Sequence, residues 1–415
     1  MPTTNLDTYD YIVVGAGSAG CVVAARLSEE PRYRVLLLEA GGTDHNPWIH
    51  VPMGYPKVYA NPRFNWMHES EPEPGLAGRR IFQPRGMVLG GTSAINAMVY
   101  MRGHPADYDG WSAGGCIGWD WDGVLPYFKK AENQENGANA FHGTGGPLSV
   151  SNQPVRLEIA EQWIRAALEA GLPANDDFND GLQDGAGHFQ CTMNRRRRVT
   201  TATAYLKPAR NRPNLTIETK ARVARILIEQ GKAAGVAYVR SGVPRTARAC
   251  GEVIVCGGAF NSPKLLQLSG LGPADLLCNL GIPLIRDLPG VGANLQDHFS
   301  VRCNYRCTKP ITLNDIGNSF WRRVVAGAQH LLFRNGPLAS TGIVAGGYVR
   351  SAPCTRPSRH TAHVLRLQLL RTRQQRRHPA SILRFQRRRG ADSPHLTGAV
   401  TNTVLRPDGA TCIRI

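Results

Sequence analysis

The sequence predicts an α/β fold in which one parallel sheet is assembled from segments that lie far apart in the chain. Residues 11–39 and residues 252–272 support this prediction, because each is typical of a buried strand, a glycine turn and a helix in succession. Between them, strand-like runs over 215–239 surround Gly231 and indicate antiparallel hairpins. We therefore expect a parallel sheet with an antiparallel part attached to it.

The first of these segments opens with four apolar residues and then three glycines at the spacing G-x-G-x-x-G. Gly15 allows the sharp turn from strand to helix, Gly17 lets a pyrophosphate approach bare backbone, and Gly20 lets the helix pack closely on the strand. The helix, from Ala19 to about residue 29, points its N–H groups and the positive end of its dipole at the same place. The segment therefore predicts a binding site for the pyrophosphate of a dinucleotide.

A second apolar run, residues 35–38, ends in Glu39, nineteen residues after Gly20. A carboxylate at this place accepts hydrogen bonds from both hydroxyls of an adenosine ribose. Together the glycines and the acid predict a ligand that contains ADP, and they leave open whether it is NAD or FAD.

The composition is that of an ordinary globular protein. The chain has 415 residues, of which 42% are hydrophobic and 19% charged, and we expect two or more structural units. No run approaches about eighteen apolar residues, so no membrane span is expected, and the roughly ten residues before the first strand are too few for a signal peptide. The ten cysteines form no C-x-x-C pair, which predicts buried thiols in a reducing compartment and no metal site. We expect a cytoplasmic location and leave peripheral attachment to a membrane open.

Other segments are predicted from their spacing. Apolar periodicity predicts helices over 119–132 and 157–171. Residues 43–84 are rich in proline, asparagine and aromatic residues, and we expect extended connections and a surface lid rather than regular helix. The basic run 195–198 is interpreted as a solvated loop rather than a phosphate site.

Residues 85–111 carry glycines next to small polar side chains, a combination suited to the polar face of a planar cofactor. A helix start at Thr92 or Ser93 would account for those two residues, but not for the glycine pair and Asn96 beside them.

These segments resemble the glucose–methanol–choline oxidoreductases, and most of all their choline-dehydrogenase-like branch. Residues 86–109, centred on GGTSAIN, are similar to the first family signature, and residues 258–272, GAFNSPKLLQLSGLG, are similar to the second. The segment 290–298, GVGANLQDH, and the lid residues 65–72 also fit, in family order. The resemblance extends from about residue 9 to residue 350.

The resemblance implies FAD as the cofactor, and an FAD-binding, Rossmann-like domain of the glutathione-reductase type with an incomplete α+β substrate domain that holds an antiparallel sheet. It implies that the ADP half is held by Gly15, Gly17, Ser18, Gly20 and Glu39. It implies that the flavin and adenine are contacted by Val88, Gly91, Asn96, Val99 and Val223. Ile95 stands where some members carry a histidine bound covalently to FAD, so non-covalent attachment is expected.

The family's chemistry implies oxidation of an alcohol to an aldehyde. A C-terminal histidine takes the hydroxyl proton while a hydride passes to the flavin, and a second histidine or asparagine stabilises the alkoxide. In the family these residues lie in the pattern H-x-G-T-x-x-M-G, which is absent here, so the catalytic residues stay unknown. His298 is interpreted as a loop histidine near the cofactor. The same pattern is absent around the later histidines, His360, His363, His378 and His395.

The end of the chain departs from the family. The formal net charge is +18, and residues 350–415 account for +12 of it, with fourteen arginines, no lysine and two acids. One interpretation is a basic arm that binds nucleic acid. We prefer out-of-frame translation of a GC-rich gene, because the family resemblance stops abruptly after Arg350. The expected organisation is an FAD-binding region over 1–305, the start of a further substrate-domain segment over 306–350, and an aberrant, disordered or out-of-frame tail over 351–415.

The sequence therefore predicts an FAD-dependent oxidoreductase that acts on the CH–OH group of a choline-like or aliphatic primary alcohol. The electron acceptor is left open among oxygen, a quinone and a carrier protein, and no specific nucleic acid is expected as a partner. Two alternatives are an inactive FAD-binding remnant, because the catalytic segment is absent, and a basic protein that binds nucleic acid through its tail. The two family signatures disfavour an NAD-linked dehydrogenase.

Overall fold

A computed structural model describes residues 7–298 and 307–350, with the backbone of three short strands, Ala362–Arg366, Val404–Leu405 and Thr411–Ile413. The central sheet has six strands: β1 (Asp7–Val14), β2 (Val35–Leu38), β3 (Leu215–Glu218), β4 (Ala221–Glu229), β5 (Lys232–Arg240) and β6 (Val243–Val255). Their spatial order is β3-β2-β1-β6-β5-β4. The predicted α/β fold, with a parallel sheet built from distant segments, is confirmed.

Strand β6 joins the parallel and antiparallel parts of the sheet. Its last residues, 252–255, pair in parallel with 11–14 of β1, while its first residues pair antiparallel with β5. The predicted short strand over 252–256 is therefore the end of a longer strand. The prediction that residues 215–218 belong to the antiparallel hairpins is wrong, because their backbone pairs in parallel with residues 35–38 of β2.

Both faces of the parallel strands are covered, which explains their continuous apolar runs. Val13 and Leu37 face the helix α1 (Ser18–Leu27), whereas Ile12 and Leu36 face the opposite layer with Leu265 of the helix α2 (Gly258–Leu268). All four residues of β2 are at most 1% exposed. Side chains that alternate along each strand thus fill two core layers.

The other elements surround this sheet. Further α-helices are Pro47–His50, Tyr55–Tyr59, Pro105–Ala113, Trp121–Ala131, Glu158–Glu169, Lys207–Ala209, Ala274–Asn279, Leu313–Gly317 and Phe320–Phe333. Short 3₁₀ turns lie at Pro52–Gly54, Pro74–Leu76, Gly91–Ala94 and Pro337–Ala339, and a π-helical turn at Ala202–Leu206. Short paired strands are His68–Ser70 with Phe82–Gln83, Glu132–Gln134 with Leu148–Val150, Met193–Asn194 with Arg197–Arg198, and Leu271–Gly272 with Arg286–Asp287.

The two helices predicted from apolar periodicity are confirmed as Trp121–Ala131 and Glu158–Glu169. The lid region 43–84 differs from the prediction, because it contains two short helices, each with a proline in its first turn. Such helices are too short for an apolar period to appear in the sequence.

A separate antiparallel sheet lies apart from the central one, as expected for a substrate domain. It consists of Gly185–His188, Ala345–Arg350 and Ala362–Arg366. No helix within residues 7–298 and 307–350 is long and apolar enough to cross a bilayer. The interpretation of residues 351–415 falls largely outside the described residues, so it and the domain boundaries stay predictions.

Candidate dinucleotide site

The turn between β1 and α1 is built from glycines that leave no room for a side chain. Gly15 has a φ of +98°, and a Cβ there would lie 2.6 Å from the carbonyl oxygen of Cys256. A Cβ on Gly20 would lie 1.8 Å from the carbonyl oxygen of Gly15. The strand, the turn and the end of β6 therefore approach one another as closely as their backbones allow.

Gly17 differs from these two glycines, because a Cβ there would meet no atom within 4 Å. It is extended, with a φ of −77°, and it is the N-cap of α1. Ser18, the first residue of that helix, is exposed. Bare backbone and the first N–H groups of α1 thus face open space, which is the arrangement that binds a pyrophosphate.

The glycine pair of the 85–111 segment packs against this turn. The N–H of Gly90 donates to the carbonyl oxygen of Ala16 at 2.8 Å. Gly91 has a φ of +52°, and a Cβ there would lie 2.6 Å from the Cα of Gly17. Two glycine loops that are distant in sequence therefore form one wall of the site.

Glu39 lies at the end of β2 and is only 5% exposed. Its Oε2 accepts from the N–H of Ala16 at 2.9 Å, and its Oε1 accepts from the N–H of Gly41 at 2.8 Å. Burial raises the pKa of this carboxyl to about 7, although both backbone hydrogen bonds act to lower it. The carboxyl is thus fixed beside the glycine turn, where a ribose hydroxyl would donate to its remaining lone pairs.

Arg198 holds the loop that carries Asn96, a role that the sequence pattern does not predict. Its guanidinium donates to the Oδ1 of Asn96 at 2.8 Å, to the carbonyl oxygen of Asn96 at 2.7 Å and to that of Ser93 at 3.1 Å. Its Nε donates to the carbonyl oxygen of Ile49 at 2.8 Å. The side chain is 2% exposed, and burial lowers its pKa to about 9, so it stays charged at neutral pH.

The predicted solvated loop over 195–198 is therefore wrong for its last residue. Arg195 and Arg197 are exposed, whereas Arg198 points inward from the second strand of a short hairpin. Because side chains alternate between the two faces of a strand, Arg197 and Arg198 point in opposite directions. The sequence does not indicate which of the four consecutive arginines is buried.

The remaining predicted contact residues are Val88, Val99, Val223 and Asn96. Val88 is fully buried in a cluster with Ile49 and Ile95, and its backbone bridges to Gly42, just after Glu39. Val99 is half-buried and bridges to Cys191.

Val223 is half-buried on β4, two residues after Ala221, whose N–H donates to the carbonyl oxygen of Glu39 at 2.8 Å. Asn96 is exposed, with its Oδ1 accepting from the N–H of Met98 and from Arg198. The structure therefore brings Gly17, Gly91 and Glu39 together and places Val223 at the end of the site next to Glu39.

Of the histidines considered in the sequence, only His298 has a described side chain. His298 is exposed, and its N–H donates to the Oδ1 of Asp297 at 2.8 Å. His363 lies in a strand of which only the backbone is described. His360, His378 and His395 lie outside the described residues.

The residues present fit the ADP part of a dinucleotide. They supply an open backbone surface at Gly17, a helix N-terminus and a buried acid at the end of the neighbouring strand. In residues 7–298 and 307–350, histidine, cysteine and acidic side chains form no group of three that would hold a metal ion. The open backbone, the helix N-terminus and the buried acid point to a bound nucleotide.

Comparison with known proteins agrees with this geometry. The chain is 44% identical over 354 residues to the mitochondrial choline dehydrogenase of Mus musculus, covering 84% of this chain and 59% of that protein. It is 46% identical over 344 residues to the oxygen-dependent choline dehydrogenase of Sinorhizobium fredii, covering 83% and 62%. An FAD-dependent oxidoreductase from Chaetomium thermophilum has a TM-score of 0.75 and 31% identity, with coverages of 82% and 62%. The chain thus spans about three fifths of the length of the curated relatives it matches.

The family model for the GMC oxidoreductases matches residues 9–300, which include both glycine loops, Glu39 and α2. The chain belongs to the GMC oxidoreductase family.

Proposed function

We propose that this chain binds FAD non-covalently and belongs to an oxidoreductase that acts on the CH–OH group of an alcohol. The observation that carries the proposal is the contact between Gly17 and Gly91 beside the N-terminus of α1, with the Glu39 carboxyl at the adjacent strand end. This arrangement offers an anion site and a ribose site side by side. Relatives named as choline dehydrogenases support a choline-like or aliphatic primary alcohol as the substrate.

The chain's own residues bind and orient the cofactor. The backbone N–H groups at the start of α1 face the pyrophosphate, and Glu39 accepts from the adenosine ribose. Arg198 fixes the loop of Gly91 and Asn96, so this wall of the site keeps its shape. When bound, FAD accepts the two electrons that an alcohol loses on becoming an aldehyde. We assign the group that takes the hydroxyl proton to none of the described residues.

The test is whether the purified chain carries flavin and whether an alcohol bleaches it. We expect a yellow protein with flavin absorbance, released by heat or acid because it is not covalently bound. Choline or an aliphatic primary alcohol, added without oxygen, should reduce the flavin absorbance, and an artificial electron acceptor should restore it. Choline methyl ether is the matched control, since it has no hydroxyl group to oxidise.

The competing proposal is a flavin-binding remnant without activity. It is favoured by one observation, that the H-x-G-T-x-x-M-G surroundings of the family's catalytic histidine do not occur in residues 1–415. Flavin that is bound but never bleached by any alcohol would establish the remnant. A colourless protein that also fails to take up added FAD would overturn both proposals.

A further inference from the structure

The helix Phe320–Phe333 turns most of its large apolar side chains outward. Within the described part of the chain, Leu331 is 82% exposed, Leu332 is 74% exposed and Trp321 is 73% exposed. Its buried face rests on Ala326, which is 3% exposed. A surface helix of a globular protein ordinarily shows the opposite arrangement, with its apolar stripe inward.

Six of the exposed side chains share one side of the helix, which we call the outer face. With a rotation of about 100° per residue, these side chains lie within an arc of roughly 140° around the helix axis. The residues are Phe320, Trp321, Val324, Val325, Leu331 and Leu332. A shallow groove of about 290 Å³ continues this surface, and Ile316 and Pro337 line it together with Trp321 and Val325. An apolar surface of this kind marks an interaction site.

Positive charge surrounds the outer face. Arg322 and Arg323 lie in its first turn, and Arg334 follows its last residue. Arg196 donates to the carbonyl oxygen of Arg334 at 3.5 Å, which brings the arginine-rich hairpin tip to the same end of the helix. The one acid between residues 307 and 350 is Asp315, and its carboxylate accepts from the N–H of Thr312 at 2.9 Å.

We propose that the outer face docks on the surface of an anionic phospholipid bilayer, with the helix lying in the plane of the interface. Apolar and aromatic side chains would enter the boundary between headgroups and acyl chains, while the arginines around them contact lipid phosphates. A wide apolar face with a cationic rim complements a plane that is apolar below and negative above. The proposal does not depend on the alcohol chemistry, because it uses no residue of the dinucleotide site.

The experiment is co-sedimentation of the full 415-residue chain with vesicles of phosphatidylcholine alone or mixed with phosphatidylglycerol. We expect binding to the anionic vesicles that weakens as salt is added. Replacing Leu331→Gln together with Leu332→Gln should lower that binding at least about tenfold. The matched control is Leu182→Gln, a similarly exposed leucine at 73% that is not part of the helix, and it should bind like the wild type.

The arginines are tested by Arg322→Gln, Arg323→Gln and Arg334→Gln in one variant. Each lost arginine should weaken binding to the anionic vesicles about fivefold and remove part of the salt dependence. The arginine-rich residues after 350 are unchanged in every variant, so a difference reports the helix. Equal binding by the wild type and the leucine variant overturns the proposal. Protection of Trp321 from hydroxyl-radical labelling without vesicles also overturns it, because another segment or a second copy then covers the face.

Discussion

Gly91 shows how closely two backbones approach in the site. Its φ of +52° disfavours a side chain, and the space that a Cβ would occupy lies 2.6 Å from the Cα of Gly17. A methyl group there would push the two glycine loops apart. Because those loops form the wall that faces the pyrophosphate, the damage would fall on cofactor binding.

We therefore predict that Gly91→Ala lowers the affinity for FAD at least about tenfold, since a displaced loop misplaces its hydrogen bonds. Flavin fluorescence quenching on titration with FAD measures this change. The control is Gly231→Ala, where φ is +76° but no atom lies within 4 Å of the new Cβ. It should cost about 1 kcal/mol of stability through backbone strain and leave FAD binding unchanged. Equal FAD affinities of the two variants would contradict the packing described here.

Arg198 gives a second prediction at this scale. Replacement by methionine keeps much of the volume but leaves the carbonyl oxygens of Ile49, Ser93 and Asn96 without their donor. We expect Arg198→Met to lower the free energy of unfolding by about 3 kcal/mol, measured by urea denaturation. Arg195→Met, an exposed arginine of the same run, should change it by no more than about 0.5 kcal/mol. An unchanged free energy of unfolding in Arg198→Met would show that the hydrogen bonds of the buried guanidinium do not stabilise the fold.

At the scale of elements, a buried ionic cluster ties the 85–111 segment to the short strand Glu132–Gln134. Arg102 donates to the Oε2 of Glu132 at 2.8 Å, and both side chains are at most 1% exposed. His142 links them to Asp177, with its Nδ1 3.0 Å from Glu132 and its Nε2 2.8 Å from Asp177. Charges buried together in this way are stable only while each keeps its partner.

This cluster predicts a stability that depends on pH. Burial acts to lower the pKa of His142, but the hydrogen bonds and charges of Asp177 and Glu132 outweigh it and raise the pKa from 6.5 to about 9. Because the folded pKa is raised, the stabilisation is fully present below pH 6.5 and is lost as the pH rises through about 9. The difference in free energy of unfolding between the wild type and His142→Gln should therefore shrink over that range. A difference that is constant with pH would contradict a charged His142, and His45→Gln, at an exposed histidine, is the control.

Some of these elements and contacts could be predicted from the sequence, and others could not. The glycines of the first turn and the terminal acid were predictable, because each has a local mechanical reason that spacing reveals. The parallel pairing of residues 215–218 was not predictable, because an apolar run has the same pattern whether it pairs with a parallel or an antiparallel strand. The burial of Arg198 and the Arg102 cluster depend on contacts with distant segments, which a local pattern does not record.

At the scale of the molecule, the site exists only because the sheet collects distant segments. β1 and α1 supply the turn, β2 supplies Glu39, and the end of β6 packs against Gly15. The 85–111 loop closes over that turn, and Arg198 holds the loop in place. The family model matches a stretch, residues 9–300, that contains the turn, Glu39, the 85–111 loop and Arg198.

We propose that the pyrophosphate binds in the open space beside Gly17. Gly17→Ala tests it most directly, because a Cβ there meets no protein atom within 4 Å and would intrude only on a bound ligand. The measurement is the FAD affinity of wild type and variant, with the thermal unfolding of each followed without FAD. We predict that the variant unfolds within a few degrees of the wild type, since the N-cap change costs at most about 1 kcal/mol, and binds FAD at least about tenfold more weakly. Equal FAD affinities in two equally folded proteins would contradict the claim.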